Sequence, residues 1–370
     1  MKKERQSKKL ILNRGEEMGL PQVNITFKSK ALKTIQQGDV GILALLLKDN
    51  VEKVTEYSIQ LSSDVPESLS DINKDYIQKA LLGGPKKVKV VVISDTLESY
   101  LEGLNYLETI DFNVLAVPGA LDSDMSILST WVKDMRDKKN RKILAVLKTN
   151  ADHEGVINFT TEEIETVDDL YTSSQYSSRI AGLIAGLPLT IAPTFQVLKE
   201  VISIPKSTKE QTDTKIKNGE FILYHDGEKT KIARGVTSLT TTTENKSEEW
   251  KKIKLVRIYD KIYTDIKKTI EDEYVGKVQN SYINKLLLVT AINTYLEVLE
   301  QNGILDPGKN KCEIDLVAQK MYLKTKMREE EYESLSEQEI KEANTGDVVF
   351  LKLNIKALDA IEDVNIDIFI

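Results

Sequence analysis

Three carboxylates, one histidine and two serines are the side chains whose types and order come closest to a catalytic set. They are Asp95, Asp122, Asp124, His153, Ser178 and Ser238. The three aspartates follow predicted buried strands, which is where α/β enzymes place catalytic carboxylates. An aspartate, the histidine and either serine have the chain order of a subtilisin-type triad. Such a set would activate a serine hydroxyl for acyl transfer.

Helix capping explains the same carboxylates without catalysis. Asp95 with Glu98 has the spacing of a capping box, and Asp122 or Ser123 can cap the next helix. His153 lies in the polar loop NADHEG, and neither serine begins a glycine-rich helix as a triad serine of this type would. We therefore predict no catalytic residue. The alternative that we keep is an α/β hydrolase or nucleotide-dependent enzyme that uses Asp95.

The chain offers little for binding a phosphate or a metal ion. The stretch GGPKK at 83–87 precedes a predicted strand instead of following one, and Pro85 removes a backbone donor, so we interpret it as a turn. Cys312 is the only cysteine, and His153 and His225 lie far apart without an HxxxH spacing. We predict neither a cofactor nor a metal site.

Composition argues against two classes of partner. The 370 residues carry a formal net charge of −7, so no overall basic field is available to attract nucleic acid. No apolar run approaches the roughly 20 residues that a membrane-spanning helix needs. The length allows two or three domains, each with its own core. We predict a globular protein that neither binds nucleic acid nor inserts into a membrane.

The elements that would position the candidate side chains alternate between strands and helices over residues 84–205. VKVVVIS, FNVLAVPG and KILAVLK are predicted buried strands, and the segments between and after them have helical spacing. This alternation predicts a largely parallel sheet with helices on its faces. Residues 38–83, with a buried strand at 42–47, are predicted to be a β-rich link into this α/β domain.

Residues 206–245 are predicted to be a linker followed by a β-rich segment. The stretch at 205–219 is polar and lacks periodicity, which is typical of a linker or an exposed loop. The elements predicted after it are strands at 221–224 and 231–239 and helices at about 250–274 and 282–301. Asn302-Gly303 has the composition of a helix C-cap.

Apolar and polar residues alternate near both ends of the chain, as they do in a half-buried strand. The alternating apolar residues are Val23, Ile25 and Phe27, then Val349, Leu351, Leu353 and Ile355, and finally Val364, Ile366, Ile368 and Ile370. Terminal segments are usually frayed and polar unless a sheet holds them. The last group therefore predicts a sheet that receives it, in this chain or in another copy.

Two further segments have more than one interpretation. Ser336 and Glu339 predict a short capped helix with acidic Glu337, Glu339 and Glu342, which is either a solvated face or a docking face for a charged partner. Residues 1–17 form a basic extension. RGEEM at 14–18 can be a ribosome-binding sequence translated as codons, which makes Met18 the start, or the extension is a basic tail.

Several long stretches resemble one known family. GLPQVNITFK, ARGVTSLTT, the segment from IKLVRIYDK to QNGILD, and NTGDVVFLKLNIKALDAIEDVNIDIFI are similar to the tail sheath protein of contractile phage tails, of the short type in defective prophages and phage-tail-like bacteriocins. The resemblance is strongest over about residues 230–370. It implies a fold of class α/β and α+β, in which a central parallel-sheet domain has subtilisin-like topology without a working triad.

The resemblance also implies a second, tube-facing α+β domain, built from both chain ends. The expected divisions are a basic extension at 1–17, an arm at 18–37, a link at 38–83, an outer domain at 84–205, a linker and β-rich segment at 206–245, and a C-terminal sheath domain at 246–370. In the family a helix near the C-terminal end contacts the tube. We expect residues 336–343 to be that helix, with Glu337, Glu339, Lys341 and Glu342 facing the tube.

The implied function is mechanical. Sheath subunits stack as hexameric rings around a tail tube and contract to drive the tube through a bacterial envelope, without ATP. The implied partners are other copies of the chain, the tail tube protein, and the baseplate and tail-terminator proteins. The implied location is a virion tail or tail-like particle, made in the bacterial cytoplasm and released by lysis. A different self-assembling shell or tube component is the second alternative.

Within this interpretation, the alternating segments become parts of an assembly. The segments around Val23, Ile25 and Phe27 and from Val364 to Ile370 are expected to be inter-subunit arms. Each would add a strand to a neighbour's sheet, where main-chain hydrogen bonds give strength and alternate side chains set the register. The segment from Val349 to Ile355 is the expected acceptor strand.

Overall fold

The computed structural model describes residues 34–38, 41–244 and 246–369. The expected arm residues Val23, Ile25, Phe27 and Ile370 lie outside these ranges, as does the extension at 1–17. The helices within them are α1 (Asp71–Leu81), α2 (Leu101–Leu107), α3 (Met125–Asp137), α4 (Ser173–Gly186), α5 (Lys209–Lys217), α6 (Ile253–Glu273), α7 (Tyr282–Gln301), α8 (Leu316–Lys324), α9 (Glu329–Glu333) and α10 (Glu337–Glu342).

The strands of the described residues fall into one large sheet and three small ones. They are β1 (Ile42–Asp49), β2 (Thr55–Ile59), β3 (Lys87–Ser94), β4 (Val114–Ala116), β5 (Leu144–Leu147), β6 (Val156–Phe159), β7 (Ile164–Thr166), β8 (Leu170–Tyr171), β9 (Val201–Ser203), β10 (Glu220–Phe221), β11 (Leu223–His225), β12 (Thr230–Ile232), β13 (Lys311–Ile314) and β14 (Leu351–Asn354).

The large sheet has seven strands in the order β10-β6-β5-β4-β1-β3-β2. All of its neighbours pair in parallel except β2, which runs antiparallel to β3 at one edge. The strands between the edges are runs of buried apolar residues, as a sheet covered on both faces requires. This architecture confirms the predicted parallel-sheet α/β fold.

Helices cover both faces of this sheet, so each strand supplies side chains to two apolar layers. In β1, Leu43, Leu45 and Leu47 pack in the layer that contains α1 and α4. Ala44 and Leu46 point the other way, into the layer formed by α2 and α3. The alternation follows from the two-residue period of a strand.

Helices α1 and α4 approach each other closely because glycine faces the contact. A Cβ atom placed on Gly182 of α4 would lie 2.1 Å from the carbonyl oxygen of Ala80 in α1. No side chain fits at that distance, so the small residues of α4 set the spacing of this helix pair. The pair covers the face of the sheet opposite α2 and α3.

A second apolar core lies around α6 and α7. Leu255, Ile258 and Ile262 of α6 pack with buried residues of α7, and Ile35 adds to the same core. The two-stranded antiparallel sheet of β13 and β14 covers it with Cys312 and the half-buried Leu351 and Leu353. Helix α7 has the predicted bounds, and Gly303 after it has φ +67°, as a helix C-cap requires.

Several local predictions were wrong. Residues 205–219 are not only a loop, because α5 forms there with a capping box between Thr208 and Gln211. The link at 38–83 contributes β1, β2 and α1, and β1 lies inside the large sheet between β4 and β3. The strand predicted at 231–239 ends at Ile232. The predicted acceptor segment forms a strand only from Leu351 to Asn354.

Candidate functional site

The candidate triad residues do not form a triad. The Nε2 atom of His153 lies 3.1 Å from a carboxylate oxygen of Asp137, not near Asp95, and its Nδ1 accepts the N–H of Gly155. The hydroxyl of Ser238 donates to the backbone carbonyl of His153, at 2.9 Å, and not to the ring. Ser238 and Ser178 are fully buried. A buried hydroxyl bonded to backbone cannot act as a nucleophile toward a substrate.

The aspartates have structural roles that differ in detail from the predicted ones. Asp95 is exposed after β3, and it does not cap α2, because that helix begins six residues later at Leu101. Asp124, not Asp122 or Ser123, accepts the backbone N–H of Leu121 at the turn before α3. Asp122 instead pairs with Lys148 at 3.4 Å.

A buried ionic cluster joins the outer domain to α6. Arg136 of α3, which is fully buried, binds both carboxylate oxygens of Asp260 at 2.7 and 2.8 Å. It also lies 3.4 Å from Glu154, whose other oxygen accepts from Lys246 at 2.7 Å. Burial opposes the charge of Arg136, but Asp260 and Glu154 outweigh it and raise the pKa of the guanidinium. Such groups are stable in a core because they are paired and hydrogen-bonded.

The same cluster contains the one group, within the described part of the chain, that has the composition of a metal site. Ligand atoms of Asp137, His153 and Glu154 lie within 4.8 Å of one another. Both oxygens of Glu154 already bind cationic side chains, those of Arg136 and Lys246. We therefore interpret the cluster as an ionic connection between elements and not as a metal centre.

The outer edge of β14 is open among the described residues. The backbone N–H of Asp315 donates to the carbonyl of Phe350, and the register places Glu313 opposite Lys352. The backbone groups of the even-numbered residues of β14 therefore bond to β13. On the far side of the hairpin, Asn293 of α7 binds the N–H and C=O of Cys312 and closes that position. In an antiparallel pair, the residues between the hydrogen-bonded ones point their backbone N–H and C=O groups away from the partner strand. The N–H and C=O groups of Leu351 and Leu353 therefore face the open edge.

A groove of about 630 Å³ runs beside this open edge. Its walls come from α6, α7 and β14, and its apolar lining residues are Ile266, Ile270, Leu288, Ile292, Val349, Leu351 and Leu353. Unpaired strand groups beside an apolar groove are what an added strand requires, since the groove accepts alternate side chains. Three of the four predicted acceptor residues line this groove.

The segment 359–369 has no regular secondary structure and no strand partner among the described residues. Val364, Ile366 and Ile368 are 67%, 75% and 80% exposed, and Phe369 is 94% exposed. A contiguous run of exposed apolar side chains is uncommon on the surface of a monomeric protein. These described arm residues thus have their apolar side chains available to another surface.

The base of this segment is held by basic side chains. Arg234 binds Glu362 at 2.9 Å and Asp363 at 2.6 Å, and the hydroxyl of Thr194 donates to Glu362. Sequence reasoning missed these contacts. Arg234 and Glu362 are 128 residues apart, and no local pattern connects them.

The predicted acidic helix is present as α10. Ser336 and Glu339 form the predicted capping box, and Ile340 is buried. Glu337, Glu339 and Glu342 are exposed, while Lys341 is half-buried. The backbone of Ile340 accepts from Gln319 of α8, which anchors the helix and leaves its carboxylates on the outside. None of the described helices is both long and apolar enough to cross a bilayer.

Comparison with known proteins identifies the family. Residues 95–238 match the model of the phage tail sheath protein central domain, and residues 245–370 match the phage tail sheath C-terminal domain. A tail sheath protein of Clostridium phage phiCD119 is 39% identical over 356 residues, which is 94% of this chain and 98% of that protein.

Solved structures agree on the fold. A sheath tail protein from Desulfitobacterium hafniense superposes with a TM-score of 0.68 at 19% identity, over 80% of this chain and 94% of that one. The sheath complex of the extracellular contractile injection system PVC, in the contracted state, gives 0.66 at 14% identity, over 96% and 98%. These relatives are structural tail proteins and not enzymes. The chain belongs to the phage tail sheath family.

Proposed function

We propose that this chain is the repeating subunit of a contractile sheath, in which copies assemble as stacked hexameric rings linked by exchanged strands. The open edge of β14 and the unpaired segment 364–369 are the observations that carry the proposal. One copy offers a segment with free backbone groups, and another offers a strand edge with an apolar groove beside it. Strand addition satisfies both at once.

The expected gain on assembly is large compared with a typical surface contact. Burying Val364, Ile366 and Ile368 contributes about 1.5–3 kcal/mol per side chain, before the hydrogen bonds of the added strand are counted. The arm residues Val23, Ile25, Phe27 and Ile370 extend the same role to segments outside the described residues. Each subunit would then be connected to its neighbours through exchanged strands while its folded body moves as a unit.

Contraction would be a switch of the whole lattice between two packings of nearly rigid subunits. Assembly around a tail tube traps the extended packing kinetically, and the contracted packing has the lower free energy. The ionic cluster of Arg136, Asp260 and Glu154 supports the rigid-body part of this proposal, because it joins α3 of the outer domain to α6. The mechanism consumes no ATP and needs no catalytic residue.

The proposed partners follow from the same arrangement. Other copies of the chain bind through the arms, and the tail tube protein contacts α10 through Glu337, Glu339, Lys341 and Glu342. Baseplate and tail-terminator proteins bind at the two ends of the sheath. The particle is a virion tail or a tail-like bacteriocin, made in the bacterial cytoplasm and released by lysis.

Deletion of residues 364–370 tests the proposal. The described side chains among them, at 364–369, are exposed, so the truncated subunit should unfold at the same urea concentration as the full chain. By electron microscopy the full chain expressed alone should form hollow helical tubes, and the truncated chain should remain as separate subunits. Normal tubes from the truncated chain would refute the assignment of the C-terminal arm.

A further inference from the structure

The last contacts of the C-terminal segment with the folded body are concentrated in six residues, 358–363. The carbonyl of Leu358 accepts from the buried Lys254 at 2.7 Å, and Asp359 pairs with Lys252. Glu362 and Asp363 then bind Arg234. Beyond Asp363, none of the described residues makes a hydrogen bond or ion pair with the segment.

The site that receives Glu362 is built by two loops. Thr194 accepts the N–H of Gly235 at 2.9 Å and donates its own hydroxyl to one oxygen of Glu362, while Arg234 binds the other oxygen. Glu362 is consequently only 10% exposed at its side chain. A carboxylate that is nearly enclosed and bonded at both oxygens is fixed in direction, unlike a surface ion pair.

Backbone strain occurs in the same place. Phe195, next to Thr194, adopts φ +59°, which is unfavourable for a bulky side chain. The backbone N–H of Phe195 donates to the carbonyl of Ile232, and the centroid of its ring lies 5.6 Å from that of Tyr224. These contacts hold the backbone conformation of Phe195. Strain of this kind persists where the local geometry is needed for function. Thr194, whose hydroxyl donates to Glu362, directly precedes Phe195.

We propose that Thr194 and Arg234 form a clamp on Glu362 and Asp363 that fixes where the C-terminal arm leaves the subunit. The inference rests on the proposed exchange of arms and adds the location of the hinge, which is at Val364. With the clamp closed, the free segment within the described residues is 364–369. Without it the segment would be free from residue 360, because Lys252 still holds Asp359, and this adds four residues and about 13 Å of reach.

The clamp matters for assembly because it restricts where a neighbour can accept the strand. A free arm with a longer reach can pair in more than one register, and a shift of one residue turns the apolar side chains away from the groove. A fixed exit point also makes the bend between neighbouring subunits occur at the same residue in every copy. The interaction links the region of the central-domain match to that of the C-terminal-domain match.

A spin label at residue 361 tests the clamp in the unassembled subunit. Ile361 is 89% exposed, and the native Cys312 is buried, so an Ile361→Cys variant takes the label selectively. The label should show restricted motion in this background and free motion once Arg234→Gln is added. Arg328→Gln is the matched control, because the ion pair that Arg328 makes within the described residues is local, with Glu331 three residues away. Unchanged label motion in Arg234→Gln would overturn the proposal.

Assembly provides the second measurement, made on unlabelled full-length chains. Arg234→Gln should give few or irregular tubes by electron microscopy, while Arg328→Gln gives regular ones. The exchanged pair Arg234→Glu with Glu362→Arg should restore both restricted motion and regular tubes. Regular tubes from Arg234→Gln, or no restoration by the exchanged pair, would overturn the positioning role. If the unchanged chain forms no tubes, the proposed sheath function fails, and the spin label still tests the clamp.

Discussion

At the residue scale, the polar groups near His153 show that an acidic residue, a histidine and a serine can meet without forming a catalytic set. The histidine ring bonds to Asp137 and to the backbone of Gly155, the serine hydroxyl bonds to a backbone carbonyl, and Glu154 binds cationic side chains. The composition of the set was visible in the sequence, but the atoms that each group uses were not. Arg136, the residue that organises the cluster, lacks any sequence signal of its burial.

Loss of Asp260 should destabilise the subunit strongly. Asp260→Ala leaves Arg136 buried without its main counter-ion, and such a change costs about 3–5 kcal/mol. Asp272→Ala, at an exposed position of the same helix, should change the free energy of unfolding by no more than about 0.5 kcal/mol. Urea unfolding followed by circular dichroism measures both. Equal midpoints for the two variants would show that the pair is not a main connection of the fold.

The free energy of unfolding should decrease in two stages as the pH is lowered, because of His153 and Glu154. Burial lowers the pKa of His153, so the unfolded chain binds a proton more readily below about pH 6.5 and folding weakens there. Burial raises the pKa of Glu154, but Arg136, His153 and Lys246 outweigh it and lower that pKa to about 2. The stability from Glu154 is complete above about pH 4.5 and is lost as the pH falls toward 2.

Urea unfolding at a series of pH values separates these stages. The free energy of unfolding should decrease from about pH 7 to about pH 5, and His153→Gln should flatten that decrease. Glu154→Gln should flatten the decrease below about pH 4.5 instead. If each variant gave a curve parallel to that of the unchanged chain, neither group would be the source of the pH dependence.

At the element scale, the sequence predicted those strands and helices whose buried apolar residues recur at a regular spacing. Apolar runs marked the parallel strands, and spacing of four residues marked α6, because one face of each element is buried. Helix α5 was missed because none of its residues is buried, and only the local capping box of Thr208 supports it. The position of β1 between β3 and β4 depends on pairings between distant residues, which no local pattern contains.

The candidate site was also predictable from the sequence only in part. Alternation along the chain predicted which residues of β14 and of the last segment belong together, since a strand has a period of two. It did not predict that β13 would take one edge of β14 and leave the other open. The contacts of Arg234 with the last segment were equally hidden, because they depend on the folded positions of two loops.

Two proline substitutions should distinguish the roles of the two edges of β14 in assembly and in folding. Leu353→Pro removes an N–H that faces the open edge, so folding is largely retained while strand addition is blocked. Lys352→Pro removes an N–H that bonds to β13, so the subunit itself should lose roughly 3 kcal/mol or more. Urea unfolding and electron microscopy of the two variants measure these effects. Regular tubes from Leu353→Pro would exclude the open edge as the acceptor.

At the scale of the whole molecule, the described residues form two buried cores, whereas the apolar side chains of the last segment are left exposed. The large sheet and the α6–α7 core bury their own apolar residues, and the ionic cluster joins them. The last segment carries a run of exposed apolar residues, and the groove beside β14 has an apolar lining. In the proposed assembly of many copies, those two surfaces cover each other.

The acidic side chains of α10 should affect binding of the tail tube without affecting sheath assembly. Glu337 and Glu342 are exposed and are not needed to cap the helix, so Glu337→Gln with Glu342→Gln should fold normally and form tubes alone. If α10 contacts the tube, the double variant should lose co-sedimentation with purified tail tube protein, and its difference from the unchanged chain should shrink as salt is raised, because salt screens the carboxylates of the unchanged chain. The matched control, Glu67→Gln with Glu102→Gln, removes one exposed carboxylate from the link at 38–83 and one from the outer domain, and it should bind as the unchanged chain does. Equal co-sedimentation of both variants would place the tube contact elsewhere on the subunit.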